Sequence, residues 1–250
     1  MHVAAAIVAT ALAAALVLVQ PWAGRRRYRR LVAGVEADPD LRLRHYHRGI
    51  AGEWAAVGLV AVIGLLAGRH AASIGVRGSD HLAADALMLG EVAVVLAASS
   101  ALFRFGGPSI RDALRRQARG FESLLPHSRV ERLTFAALAV TAGICEEVLF
   151  RGFGISYLRW LWPHAPDLAV IWITALCFGV VHLYQGTRGV VLTGLVGAYL
   201  AWVVLSRGSL LPAIVIHALL DLRILALPDL RATAAAAAPV PGHRARPFPT

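Results

Sequence analysis

The chain has 250 residues, 58% of them hydrophobic and only 16% charged, with a mean hydropathy of +0.63. A soluble domain carries about 25% charged residues, so this balance excludes an ordinary water-soluble fold and points to membrane helices. The net charge is +10 and every basic residue is Arg, but the arginines cluster beside apolar segments rather than on a soluble domain, which excludes a nucleic-acid binder.

Seven apolar segments of about 17–20 residues approach or reach spanning length. They run over 3–19, 52–68, 86–103, 133–150, 168–184, 189–206 and 209–226. The first lacks a basic leader and is followed at once by RRRYRR, so it reads as an uncleaved anchor with its N-terminus outside. The loop 20–51 carries eight arginines: Arg25, Arg26, Arg27, Arg29, Arg30, Arg42, Arg44 and Arg48. The loop 69–85 carries only Arg69 and Arg77, whereas seven lie between Arg104 and Arg132. The positive-inside rule therefore puts the first and third of these loops in the cytoplasm. The third contains SIRDALRRQARGFESLL, whose apolar and Arg-bearing sides predict an amphipathic surface helix.

The stretch 151–162, RGFGISYLRWLW, is too short to stand as a clear span. It reads as a helix extension, a re-entrant piece or an eighth crossing. The composition of 227–250, rich in Pro and Ala, predicts a disordered tail. Cys145 and Cys177 both lie in apolar segments, imply no disulfide framework and read as small packing residues. The fold class that follows is all-α, a polytopic membrane bundle of seven to eight transmembrane helices. It divides into N-terminal helices with basic loops (1–132), a polar-bearing helix core (133–226) and the tail (227–250).

Ionisable residues inside spans are costly and usually face a bundle interior or a wet cavity. The first half offers Asp85 and Glu91; the second gathers Glu146, Glu147, Arg151, His182, His217 and Asp221. Glu147 and Arg151 are four apart with the acid first, the better order for a helical ion pair. Glu146 then points about 100° away and is left without that partner. Phe178 and His182 share a face, as do His217 and Asp221, and the aromatic ring can hold the imidazole's rotamer. Each pair taken alone also suits a buried packing contact. Together they bring a carboxylate and two imidazoles from three helices toward one cavity, an inventory that activates water directly or through zinc. The helical metalloprotease motif H-E-x-x-H is absent, so Glu146, His182 and His217 are the candidate ligands for any divalent metal.

EEVLFR (146–151) fits E-E-x-x-x-R, FGVVH (178–182) fits F-x-x-x-H, and HALLD (217–221) fits H-x-x-x-N/D. In order and separation these resemble the CPBP intramembrane protease family. That family includes the type II CAAX prenyl endopeptidases and the bacterial lysostaphin-resistance-protein-A-like and bacteriocin-immunity proteins. The resemblance covers roughly 133–223. It implies an all-helical membrane fold whose site opens toward the cytosol, and a multi-pass protein of the bacterial cytoplasmic membrane.

It also implies Glu146 as catalytic acid/base, His182 as its partner on water, and His217 with residue 221 at the oxyanion. Glu147, Arg151 and Phe178 would be supporting residues. Here residue 221 is Asp, which cannot donate to an oxyanion when ionised; either it accepts from a ring N–H of His217 and fixes its tautomer, or burial keeps it protonated. The expected partners are a peptide or membrane-protein substrate and lipid. Two other classes fit the same polar set: a non-catalytic immunity or partner-binding protein on this fold, and a proton-coupled transporter, although no internal repeat supports the latter.

Overall fold

The computed structural model describes residues 3–38, 40–107, 109 and 121–226, and these are helical apart from short connections. Seven helices match the seven apolar segments. They are α1 (Val3–Gly34), α2 (Leu41–Leu66), α3 (Leu82–Phe105), α4 (Arg129–Leu161), α5 (Asp167–Val181), α6 (Gly186–Arg207) and α7 (Leu211–Leu222). Among the described residues, five stretches are long and apolar enough to cross a membrane: Val3–Gly34, Leu41–Leu66, Leu82–Leu102, Arg129–Leu161 and Leu183–Arg207. The other two helices fall short. α5 has 15 residues and stops where His182 leaves the helical ladder; α7 has 12, between the bend at Gly208–Leu210 and a turn from Arg223. Most of the amphipathic segment 109–125, and all of the tail 227–250, lie outside the described residues.

Two boundaries differ from the sequence reading. RRRYRR is not in a loop: the helix continues through it to Gly34, so the arginines extend the first span beyond its apolar part. α2 likewise begins at Leu41 rather than near 52. The open question at 151–162 resolves as a helix extension, since α4 runs without a break from Arg129 to Leu161. It does so through a π-helical turn at Val148–Phe153, a local underwinding that often marks a functional site.

The start of α4 is fixed by a capping box. Ser128 Oγ accepts from the Glu131 N–H at 3.1 Å, and Glu131 Oε2 accepts from the Ser128 N–H at 3.0 Å. The second oxygen of Glu131 accepts from Arg42 Nη1 of α2 at 2.7 Å, in a pair almost shut off from solvent. From there α2 and α4 run side by side in the same direction. Arg42 meets Glu131, the Tyr46 and Phe135 rings lie 5.7 Å apart, and Gly49 faces Leu138, all at one offset of 89 residues. Parallel α2 and α4 put their starts, Leu41 and Arg129, at one end of the bundle, in keeping with the Arg count.

Large apolar side chains face outward on most helices, among them Val94 and Val95 on α3, Trp172 and Leu176 on α5, and Leu195 and Trp202 on α6. In water such a surface would be an aggregation patch; against lipid it is the correct exterior. The interior is closed by small residues. A Cβ on Gly143 would lie 2.8 Å from the Ala218 Cβ, so α4 and α7 touch nearly backbone to backbone there. A Cβ on Gly179 would lie 2.5 Å from the Val190 carbonyl, which sets the α5–α6 spacing. Such close approach is how membrane helices gain packing without a hydrophobic driving force.

Gly179→Ala should therefore destabilise the protein by about 1–3 kcal/mol, since backbone and not a flexible side chain must move. Gly58→Ala, where a Cβ would meet nothing within 4 Å, should be neutral or mildly stabilising. Thermal unfolding of the two variants in detergent checks the contrast, and equal melting temperatures would refute it.

Candidate active site

Glu146 and Glu147 end the regular part of α4, one residue before the π turn that carries Arg151. The predicted pair forms: Arg151 Nη1 donates to Glu147 Oε1 at 2.8 Å, with both side chains fully buried. Arg151 Nη2 donates to the Gly197 carbonyl of α6 at 3.1 Å, and the guanidinium lies 4.2 Å from the centroid of the Phe178 ring. Gly197 is required for this reach, because a Cβ there would sit 3.1 Å from Nη2 and 3.0 Å from the Phe178 ring. One cation thus ties α4, α5 and α6 together.

The same Glu147 Oε1 also accepts from His217 Nδ1 of α7 at 2.7 Å. An oxygen already accepting from an arginine can only be the acceptor here, so the Nδ1 of His217 carries a proton. This is the bond that the H-x-x-x-D spacing assigned to Asp221. Asp221 Oδ2 stands instead 3.8 Å from His217 Nε2, outside hydrogen-bond range. The sequence missed the true partner because Glu147 is 70 residues away, and spacing exposes only neighbours on one helix.

His182 lies at the end of α5, where its Nδ1 makes a 2.9 Å bond with the Phe178 carbonyl. A carbonyl accepts only, so Nδ1–H donates and Nε2 is the ring nitrogen left to face the site. The Phe178 ring packs 4.7 Å from His182 and stands edge-on to His217 at 5.8 Å, which holds both imidazoles. The two free Nε2 atoms face one atom, Glu146 Oε2, at 3.9 Å from His182 and 3.8 Å from His217. Those separations are too long for hydrogen bonds, and Glu146 Oε2 is buried without any hydrogen-bond partner. One small polar molecule can reach all three atoms.

Glu53, on α2, was not visible as a site residue in the sequence. It lies within electrostatic reach of Glu146, Asp221 and His217, and its Oε2 is also buried without a hydrogen-bond partner. The apolar run starts near 52, so Glu53 reads as an end residue; the structure extends α2 back to Leu41 and puts it mid-helix. The signal was the stripe Arg42, Tyr46, Gly49, Glu53, one face at helical spacing. Asp85 lies elsewhere, 3.3 Å from Arg207 at the opposite end of the bundle. Cys145 and Cys177 are free, the first fully buried. Among the described residues no group of three or more His, Cys, Asp or Glu side chains could hold a metal ion.

The model of one family, described as type II CAAX prenyl endopeptidase Rce1-like, matches residues 129–223. That stretch opens at the capped start of α4 and closes just past Asp221, so it spans Glu146, Glu147, Arg151, Phe178, His182, His217 and Asp221. Over these residues the chain is similar to that family, in keeping with the CPBP resemblance of its motifs. Comparison with curated proteins and with solved structures gave no match.

Removing Arg151 would strip the fully buried Glu147 of its ion-pair partner and leave it the His217 bond alone. Arg151→Ala should cost about 3–5 kcal/mol and sharply lower the yield of folded protein. Arg151→Lys should rescue only in part, because an ammonium cannot bond Glu147 and Gly197 in a fork while stacking on Phe178. Size-exclusion profiles of the two variants in detergent test this, and a normal profile for the Ala variant would contradict it.

Proposed function

We propose that this chain is an intramembrane endopeptidase that activates water between Glu146 and His182. The observation that supports it most is the convergence of Glu146 Oε2 and two imidazole Nε2 atoms within 3.9 Å in a buried place, with the carboxylate oxygen unpartnered. The substrate is a peptide or membrane protein whose scissile bond lies within or at the edge of the lipid, and the membrane-spanning helices and the family match favour that setting.

Water hydrogen-bonds to Glu146 Oε2 and His182 Nε2. Glu146 takes a proton as the water oxygen attacks the scissile carbonyl carbon. His217, donating from Nε2, holds the oxygen as it becomes an oxyanion, and Glu147 at Nδ1 supports the charge that this donation needs. The tetrahedral intermediate then collapses, the C–N bond breaks, and Glu146 returns the proton to the leaving amine. Asp221 Oδ2, 3.8 Å from His217 Nε2, stands beside the oxyanion position, where one ordered water can bridge the two. Phe178 and the Glu147–Arg151 pair keep the two imidazoles in place.

The experiment is a comparison of protein N- and C-termini in membranes of native cells carrying wild type or Glu146→Gln at matched expression. Termini that appear only with Glu146 intact are the expected result, and they name the substrate. Identical termini with a well-folded variant would turn the reading toward a non-catalytic partner-binding role. The mechanism as written needs no metal, so cleavage by purified enzyme should persist in excess chelator. Loss under chelation, restored by zinc, would instead assign Glu146, His182 and His217 as its ligands.

A further inference from the structure

A peptide bond can be cut inside a membrane only if the segment around it is unwound. An unwound backbone in a dry site carries N–H donors that have lost their helical acceptors, and each costs several kcal/mol unless a new acceptor is found. The site must therefore offer acceptors beyond those spent on water. Glu146 Oε2 is committed to the water in the mechanism above. Glu147 Oε1 is taken by Arg151 and His217, and its unpartnered Oε2 belongs to a side chain with no exposed surface.

Glu53 is not committed to anything. It continues the α4-facing stripe of α2 in the register set by Arg42–Glu131, Tyr46–Phe135 and Gly49–Leu138, which puts it abreast of Ala142, one turn before Glu146. Glu53 Oε2 is closed to solvent and unpartnered, and its electrostatic neighbours are Glu146, His217 and Asp221. A carboxyl oxygen keeps an acceptor lone pair in either protonation state. A buried acceptor left empty costs about 1–3 kcal/mol, which a packing role would not require. No other element packed beside it gives it a donor among the described residues.

We infer that Glu53 is a substrate-positioning residue of this site: its buried oxygen accepts a backbone N–H from the unwound segment of the substrate and sets the scissile carbonyl against Glu146. The inference rests on the endopeptidase reading and extends the site to α2, outside the family match at 129–223. The bond is made to bound substrate and transition state alike, so its loss raises KM and spares kcat.

The test runs Glu53→Gln and Glu53→Leu beside Glu146→Gln in the same comparison of termini. Gln keeps a carbonyl acceptor and should keep the Glu146-dependent cuts; Leu keeps volume without an acceptor and should lose most of them. The cut segment is then synthesised as an amide and as depsipeptides with an ester replacing each amide beside the scissile bond. With purified wild type, one ester position should raise KM roughly tenfold, the worth of one hydrogen bond of about 1.4 kcal/mol. Glu53→Leu should show that higher KM with the amide and no further change with the ester, at nearly unchanged kcat.

If Glu53→Leu responds to the ester as wild type does, or cuts as well as wild type, the positioning role is wrong while the endopeptidase reading stands. If Glu53→Gln is as inactive as Glu53→Leu, the residue works through its proton and the acceptor role is equally overturned. If no cut depends on Glu146, both readings fall together. Monodisperse elution of each variant separates these outcomes from misfolding.

Discussion

One carboxylate oxygen organises the second half of this protein. Glu147 Oε1 takes a hydrogen bond from Arg151 along its own helix and another from His217 on α7. Both side chains of the ion pair are fully buried, so the charges survive there only because each has a partner. The guanidinium spends its remaining reach on the Gly197 carbonyl and the Phe178 ring, which brings in α6 and α5. Four helices are thereby indexed to one atom. The consequence for chemistry is indirect but strict: with His217 held at Nδ1 and His182 held at the Phe178 carbonyl, both rings present Nε2 to Glu146.

Adjacent glutamates therefore have opposite fates for a geometric reason. Successive residues on a helix point about 100° apart, so the two carboxylates meet different nitrogens of His217. Glu147 faces the packed core and is saturated at one oxygen. Glu146 faces the histidines and has an oxygen with no partner at all. The π turn that follows carries Arg151 within a fully buried run from Val148 to Phe153. The structure thus separates a carboxylate that holds the helices together from one that is free to exchange a proton.

Much of this was legible in the sequence. Charges four apart in an apolar run announce a same-helix ion pair, and the three motifs announce which helices carry polarity; Glu147–Arg151 and the Phe178–His182 contact follow from spacing alone. What spacing cannot show is a partner on another helix. His217 was matched to Asp221 because they share a face, whereas its bond goes to Glu147. Helix ends were also poorly marked. Apolar windows find the lipid-facing part of a helix, but Arg and His continue a helix well once it has started, so α1 runs through RRRYRR and α2 starts at Leu41. That error hid Glu53, which falls at the edge of the apolar run but in the middle of the helix.

The two ends of the bundle make sense of why the first half is present at all. At one end Arg42 of α2 is clamped to Glu131, which also caps α4, and Tyr46 bonds the Leu124 carbonyl at 2.6 Å. At the other, Arg77 donates to the Gly208 carbonyl at 2.7 Å, and Ser209 donates back to the Arg77 carbonyl at 2.8 Å. The α2–α4 register itself is held by the Arg42–Glu131 pair and the Tyr46–Phe135 contact. A one-turn slip would break the Arg42–Glu131 pair and move Glu53 away from Glu146. The clamps are hydrogen-bonded, while one buried oxygen each of Glu53, Glu146 and Glu147 between them is left without a partner. A scaffold built only to pack would bury apolar side chains at such positions and gain stability. Fixed walls around unsatisfied acceptors are the opposite arrangement, and it makes sense where the missing donors arrive with water and with an unwound peptide.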